Sequence, residues 1–422
     1  MTTTGVIGMK KPLIGIMVTK IAAAKRDYIK AETLQVDILL FSYNGINWKE
    51  KKIKGHFLSG GRWQKKTCPF PSAIYYRRYA ANDYLVKQLE MITGKGKVFN
   101  CVTQFDKSII HNLLKTSAVS PYLPDTYPYQ KAQLLELLSK YRRLILKPCL
   151  GYLGRRVYLL EQTEDNQYRL YENIYRNISQ DQSLNKETPA DNTEANFLKK
   201  LFSNNQNLFV PAKINTDNAQ HFTDKVDQLV GHSRFLLQQF VPFDEIDHKI
   251  YDIRMYVQKN GNGNWTVSGG FSRIGNANSY VSNLCTEIKD YHGIVTGNTK
   301  LGFHQLNKMR SISLNTAYAL ENKLGHLGEM CVDFGLDKHG KPWIIEVNGR
   351  PQKKMVKRLN DKELINAVYL KPIEYARFLA TKKPATRFKE FNSFDATTLR
   401  NASPAQKQGL LKTWYKNTWR NK

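Results

Sequence analysis

Asp333, Glu346 and Asn348 have the types and spacing to hold a hard cation. They lie in the stretch CVDFGLDKHGKPWIIEVN, residues 331–348, which reads as two short apolar strands joined by a tight turn from Asp337 to Gly340. Alternation along a strand sends Glu346 and Asn348 from the same face. Folding at the turn brings Asp333 opposite Glu346, or one diagonal step from it. Two carboxylates and an amide oxygen then converge at the end of a sheet, with positions left for water and phosphate oxygens. Mg²⁺ takes such a set, and Mn²⁺ shares the preference for oxygen. A surface hairpin whose acids serve solubility would have the same short pattern, and the spacing leaves both readings open.

Basic and glycine-rich elements accompany this hairpin. Lys147 ends an apolar strand and is followed by Gly151 and Gly154. Glycines let backbone N–H groups approach phosphate oxygens, and a strand-end ammonium neutralises phosphate charge; an ordinary turn with a surface lysine is the alternative. Asp252 and Arg254 leave one strand face, and Arg273 follows on the paired strand. Two arginines facing a nucleotide could hold the transferring γ-phosphoryl group. A cross-strand Asp–Arg salt bridge would account for Asp252 and Arg254 but not for Arg273. In FLLQQFVPF, the end of a buried strand would offer the backbone of Gln239 and Val241 to an adenine edge, or simply connect two domains.

The elements that position these residues follow from local pattern. Pro12–Val18, Asp37–Ser42 and Ala73–Tyr76 read as strands, with a helix over Ile21–Glu32, giving a small α/β unit with a partly parallel sheet. Asp106–Lys115 reads as a helix and 123–126 as a loop. Strands follow at Arg143–Pro148, Val157–Glu161 and Tyr168–Tyr171. Residues 176–231 are polar, Asn- and Gln-rich and weakly patterned, and read as an insertion with a short helix over Ala195–Leu201. Patterning resumes at Phe235–Val241. A hairpin joins Ile250–Lys259 to Trp265–Ser272 through the turn NGNGN, and helices are expected over Leu301–Gly325 and Asp361–Ala380.

Composition narrows the class. At 422 residues and 41% hydrophobic content, two or three packed units are expected. No apolar run is long enough to cross a bilayer, and no signal-peptide pattern opens the chain. The five cysteines are scattered without C-x-x-C spacing, the pattern of reduced core thiols in a cytoplasmic protein; the nine histidines form no zinc motif. A net charge of +28 favours polyanionic partners, an acidic polymer or coat protein among them. No zinc finger, helix-turn-helix or aromatic RNA-binding motif supports nucleic acid. The tail from 376 to 422 is the most basic part, and Trp414 and Trp419 could anchor a helix there.

Taken with Lys107, the series Lys147, Gly151, Gly154, Gln239, Val241, Asp252, Arg254, Arg273, Asp333, Glu346 and Asn348 resembles an ATP-grasp enzyme. The segments FLLQQFVPF, YDIRMYVQKNGNGNWTVSGGFSRIG and CVDFGLDKHGKPWIIEVNGRP resemble the YheC/YheD family of ATP-grasp proteins from spore formers, described as endospore coat-associated. The likeness covers roughly residues 70–375. It implies a mixed α/β and α+β chain in which two α+β subdomains clasp ATP behind a small α/β pre-ATP-grasp domain. The expected limits are 1–105 for that first domain and 106–242 for the lid subdomain with its insertion. The metal-bearing subdomain would span 243–375 and the basic tail 376–422. Lys107 and Lys147 would hold the phosphates, Mg²⁺ would lie on Asp333, Glu346 and Asn348, and Arg254 and Arg273 would face the γ-phosphate and the acyl-phosphate made from it. The implied reaction joins a carboxylate to an amine on a peptide or amino-acid-like substrate, with a non-catalytic, ATP-binding coat component as the alternative. The glycine loop is less glycine- and serine-rich than many ATP-grasp lids, Asp244 and Glu245 are the candidates for a ribose-binding acid, and Asn283 falls where a substrate-side loop is often placed.

Overall fold

β1 (Leu13–Met17), β2 (Asp37–Phe41), β3 (Ile46–Asn47), β4 (Lys52–Ser59), β5 (Arg62–Pro69), β6 (Ala73–Tyr76) and β7 (Val98–Phe99) build a seven-stranded sheet in the order β3-β4-β2-β1-β6-β7, with β5 on the outer side of β4. The computed structural model describes residues 11–78, 82–151, 154–172, 212–277, 279–280, 285, 287–295 and 299–382. β1 runs parallel to both β2 and β6, and β7 is parallel to β6. Helix α1 (Ile21–Tyr28) is shorter than its apolar pattern suggests; the chain tightens into a 3₁₀ turn at Ile29–Leu34 that ends on left-handed Gln35. The β4–β5 hairpin was absent from the sequence reading. Its signal is Gly60-Gly61, whose φ values of +56° and +71° suit a two-residue hairpin turn. Helix α2 (Asp83–Thr93), capped by Asn82, covers the far face of this sheet through Leu85 and Leu89.

After α3 (Lys107–Lys115), a second sheet is built from β8 (Thr126–Pro128), β9 (Arg143–Pro148), β10 (Tyr158–Gln162), β11 (Tyr168–Glu172), β12 (Ile214–Thr216) and β13 (Phe235–Gln239). The order is β12-β11-β10-β9-β13-β8, antiparallel throughout. Helices α4 (Leu134–Tyr141) and α5 (Ala219–Val230) pack on it around Leu144, Leu146, Leu160 and Leu237.

The polar stretch expected over 176–231 therefore needs correction at its end. Ile214–Thr216 adds a strand to β11, and α5 buries Phe222, Val226 and Val230. Those three apolar residues recur every four positions between an Asn218 cap and Gly231, a helix signal that the surrounding polar composition masked. The short helix expected over Ala195–Leu201, Asn283 and the tail residues 383–422 lie outside the described residues.

The third sheet is the scaffold of the site. It comprises β14 (Glu245–Ile246), β15 (Lys249–Lys259), β16 (Trp265–Ala277), β17 (Glu287–Lys289), β18 (Glu329–Leu336) and β19 (Pro342–Asn348), in the order β17-β16-β15-β18-β19 with β14 on β15. Between them run α6 (Tyr291–Val295) and α7 (Phe303–Leu324). One face buries Met330, Val332, Phe334 and Ile344 against α7 and α3. The other face buries Tyr256, Phe271 and Cys331 with α8 (Lys362–Thr381) and with Ile14, Ile16 and Tyr75 of the first sheet. Each fully buried aliphatic or aromatic side chain in these layers contributes about 1.5–3 kcal/mol of transfer free energy. Helix α8 runs past the boundary expected at 376. Its Ala376 and Leu379 stay in the shared core, and the compact unit extends to Thr381.

Candidate functional site

Four neighbouring strands carry a row of charges across one sheet face. Asp252 on β15 pairs with Arg273 on β16, Arg254 on β15 with Asp333 on β18, and Asp333 with Glu346 on β19. β18 alternates cleanly: Val332 and Phe334 enter the core under α7 while Cys331 and Asp333 take the opposite face. β19 does not. Ile344 and Val347 both enter that core although three residues apart, because a bulge sits where Asp333 opposes Glu346 and Phe334 opposes Ile344. The extra residue, Ile345, switches the parity of the strand, and Glu346 with Asn348 comes round to the side of Asp333. The turn that closes the hairpin is held by Asp337, whose Oδ1 accepts from the N–H groups of His339 and Lys341, each at 2.9 Å. Its Oδ2 accepts from Trp343 Nε1 at 2.9 Å, and Gly340 adopts φ +78°.

The arginines are locked in place. Arg254 donates from Nε and Nη2 to the two oxygens of Asp333, at 2.7 Å each, and Arg273 does the same to Asp252 at 2.8 and 2.5 Å. Arg273 Nη2 also reaches Asp333 Oδ2 at 2.9 Å. Salt bridges thus account for Arg273 as well as Asp252 and Arg254, and the partners lie across strands. All four side chains are buried, with 1–6% exposed. Burial alone would push the Asp333 carboxyl up; Arg254 and Arg273 more than reverse this and hold it below the usual carboxylate range.

The lysines come from outside this sheet. Asp106 caps α3 by accepting from the N–H groups of Ser108 and Ile109, while its Oδ2 accepts from Arg234 at 3.1 Å. That fixes Lys107 at the first helical position, where its Nζ meets Glu346 Oε1 at 3.0 Å and the Gly151 carbonyl at 3.3 Å. Lys147, on β9, donates to Gln238 Oε1 at 2.8 Å; Gln238 Nε2 in turn donates to Thr126 Oγ1 at 2.9 Å. Burial, reinforced by Lys107, brings the Lys147 ammonium down to about 8 against the pull of Glu346.

A cleft opens between the second and third sheets. It is lined by Lys107, Lys147, Gly151, Gly154, Gln239, Val241 and Glu346 from the sequence-derived set, and by Ile145, Gln238, Phe240, Phe243, Tyr280 and Ile345 in addition. Its volume, counted out to the open mouth, is about 970 Å³. Asp252, Arg254, Arg273, Asp333 and Asn348 do not line it; the four charged ones form the row that continues from Glu346 across the sheet. Gln238 lies outside the sequence-derived set, which contains only its neighbour Gln239. The available signal was diagonal pairing: Lys147 stands opposite Leu236, two residues before Gln238. The ribose-acid candidates are not on the cleft wall. Asp244 accepts from the Tyr251 hydroxyl at 2.8 Å and the Lys300 N–H at 2.7 Å, and Glu245 is exposed.

Among the described residues no group of three or more His, Cys, Asp or Glu side chains is placed to hold a metal ion. The hairpin offers a different set, two carboxylates and one amide on adjoining strands. Asn348 has a buried Nδ2 without a hydrogen-bond partner, an uncommitted amide beside Glu346. This donor set fits a magnesium ion that takes one or two carboxylates and completes its shell with water and phosphate oxygens. Both Asp333 oxygens are engaged by arginine, which leaves Glu346 and Asn348 as the members not tied to an arginine.

A family described as "YheC/D like ATP-grasp" matches residues 95–379. The chain is 25% identical over 354 residues to "Endospore coat-associated protein YheD" of Bacillus subtilis (strain 168), spanning 81% of this chain and 70% of that protein. It is likewise 25% identical over 353 residues to "Endospore coat-associated protein YheC" of the same organism, spanning 79% and 84%. Among solved structures, an N5-carboxyaminoimidazole synthetase from Staphylococcus aureus complexed with ADP aligns over 88% of this chain and 78% of that one, with 9% identity and a TM-score of 0.49. That distant likeness bears on neither ligand nor reaction.

Proposed function

Since the chain belongs to the YheC/D-like ATP-grasp family, we propose that it is an ATP-dependent ligase that activates a carboxylate and joins it to an amine. The observation that carries this reading is the convergence of Lys107, Lys147 and Glu346 on one cleft, continuous with the row Arg254, Asp333, Arg273. Lys107 and Lys147 would hold the phosphates of ATP. The Nη1 atoms of Arg254 and Arg273 have no partner among the described residues and would donate to the transferring phosphoryl group. Glu346 and Asn348, with Asp333 behind them, would hold Mg²⁺, which supplies neutralisation of phosphate charge when bound.

In the first step a carboxylate oxygen of the substrate attacks the γ-phosphorus while the bond to the ADP oxygen breaks. An amine then attacks the acyl carbon. The C–O bond to phosphate breaks, the C–N bond forms, and the nitrogen proton passes to phosphate or water. The chain's own contribution is positioning and electrostatics, so no nucleophile–base pair is required. The names of the two relatives suggest association with the coat of a spore-forming bacterium. Among the described residues no helix is long and apolar enough to cross a membrane.

The test is calorimetric titration of ATP with and without Mg²⁺, on the wild-type chain and Glu346→Ala. Magnesium-dependent binding that collapses in the variant supports the site, and phosphate release is then screened with carboxylate and amine pairs. Absence of ATP binding to the wild type would sink the ligase. One observation favours a second reading, a nucleotide-binding coat component without turnover: the two arginines and Asp333 are already tied to one another. ATP binding with no phosphate release across the substrate screen would favour it.

A further inference from the structure

The first sheet ends in an open edge. Among the described residues β5 pairs with β4 alone, along its whole length, and no strand lies on its outer side. The two-residue turn at Gly60-Gly61 sets the register: Ser59 faces Arg62, Phe57 faces Gln64 and Gly55 faces Lys66. In such a hairpin these pairs exchange both backbone hydrogen bonds, and the residues between them turn their N–H and C=O groups outward. Trp63, Lys65 and Thr67 therefore line the edge with alternating donors and acceptors.

The same hairpin is strongly cationic. Residues 49–66 hold Lys49, Lys51, Lys52, Lys54, Arg62, Lys65 and Lys66 against a single acid, Glu50, and all eight side chains are exposed. Glu50 lies 3.7 Å from Lys52. Glu32, which reaches the turn, is engaged by the N–H groups of Gly60 and Gly61 at 2.6 and 2.7 Å. Lys49, Lys51, Lys54, Arg62 and Lys65 make no ion pair or side-chain hydrogen bond among the described residues. Strand alternation divides the cations between two faces: Lys54 and Lys65 flank His56 on one, and Arg62 and Lys66 leave the other. Lys66 lies 4.7 Å over the ring of Phe57. Burial, then the charges of Lys25 and Lys65, lower the pKa of His56, and its Nδ1 has no partner. No residue of this hairpin lines the cleft.

Lysines on an edge strand guard it against a second copy of itself by like-charge repulsion. That arrangement is at the same time complementary to a chain of opposite sign. A polypeptide matches it better than a nucleic acid, because the edge offers acceptors as well as donors and a phosphate backbone uses only the donors. Nor does the edge carry a platform for stacked bases. Its one aromatic residue, Trp63, is half-buried and donates its indole N–H to the Lys25 carbonyl at 3.1 Å.

We infer that β5 is a docking edge for an extended, acid-rich polypeptide segment that adds to the first sheet as a further strand. Backbone hydrogen bonds to Trp63, Lys65 and Thr67 would align it. Successive side chains of an added strand go to opposite faces, and both faces here are cationic, so neighbouring positions of the segment carry acids. The inference stands apart from the ligase reading, since it uses no residue of the nucleotide cleft.

The test follows the fluorescence anisotropy of a labelled decapeptide of glutamates titrated with the full chain, at low and at physiological salt. The wild type is expected to bind, less tightly as salt screens the charges. The double change Arg62→Glu with Lys65→Glu, at two exposed positions, should weaken binding by about tenfold or more. The same peptide N-methylated at every amide keeps its charge but loses its backbone donors, and should bind about tenfold more weakly to the wild type. Thermal unfolding checks the double variant; should it not fold, Lys54→Gln with Lys65→Gln replaces it, with a loss in the same direction. No binding to the wild type, or equal binding to wild type and charge variant, overturns the docking edge. Equal binding of the methylated peptide overturns strand addition. A thymidine decanucleotide that binds more tightly than the peptide, and loses affinity in the same variant, would overturn the polypeptide assignment.

Discussion

Asp333 receives both prongs of the Arg254 guanidinium, at 2.7 Å to each oxygen, from a strand 79 residues earlier in the chain. Removing one member of such a buried pair leaves the other without its counter-charge. Asp333→Asn is expected to lower stability by roughly 3–5 kcal/mol, measured by urea denaturation at neutral pH. The double variant with Arg254→Met should lose less than the sum of the two single changes. A fully additive cycle would show that the pair is not coupled. The folded carboxyl is held below its unfolded value, so this stability is present above about pH 4 and is lost as acidification approaches the folded value.

Lys147 gives two pH dependences of opposite sign. Its ammonium is brought down from 10.5 to about 8, so between those values the unfolded chain binds more protons than the folded one. Stability of the nucleotide-free protein should therefore rise with pH across that window, by up to about 3 kcal/mol. Lys147→Met should flatten the rise. ATP affinity should do the reverse, falling above about pH 8 as the ammonium loses its proton. Chemical denaturation and ATP titration at a series of pH values check both; an affinity flat from pH 7 to 10 would remove Lys147 from the phosphate site.

The Asp337 carboxylate closes the hairpin that carries Glu346 through three hydrogen bonds. Asp337→Ala is expected to destabilise the protein by about 1–3 kcal/mol through the unpaired donors it leaves. Thermal unfolding would read the loss. Magnesium-dependent ATP binding should weaken in parallel if the turn governs where Glu346 sits, and stay unchanged if the bulge alone does.

Helix α5 owes its start to Asn218, whose side chain accepts from the His221 N–H at 2.9 Å. Asn218→Ala should cost about 1 kcal/mol, and Asn218→Asp should be nearly neutral. Val226→Ala, in the core of the same helix and fully buried, should cost more than the cap does. Denaturation midpoints of the three variants order these effects.

The parts of the site that were legible beforehand are local. Asp333 and Glu346 are brought near one another in register by a hairpin whose turn residues are explicit, and Asp252 with Arg254 share a strand face by simple alternation. Helix α3 was readable for the same reason, although Asp106 proves to be its cap and not its first residue. The β4–β5 hairpin and α5 carried equally local signals, in Gly60-Gly61 and in Phe222, Val226 and Val230, but polar surroundings obscured them.

Chain order, strand periodicity and turn chemistry determine which residues are strand neighbours, because those forces act within about ten residues. They determined that Glu346 and Asn348 share a face and that a lysine ends β9. Tertiary structure alone decided the rest. The bulge at Ile345 turns Glu346 towards Asp333 because Ile344 and Val347 must both enter the core under α7. The partners of Arg254 and Arg273 were decided by which strands lie side by side, as was the docking of Lys107 on Glu346 across two elements. Burial is what makes these choices binding: once water is excluded, each charge must find an opposite charge or a hydrogen bond, and only the packed chain determines which one is within reach.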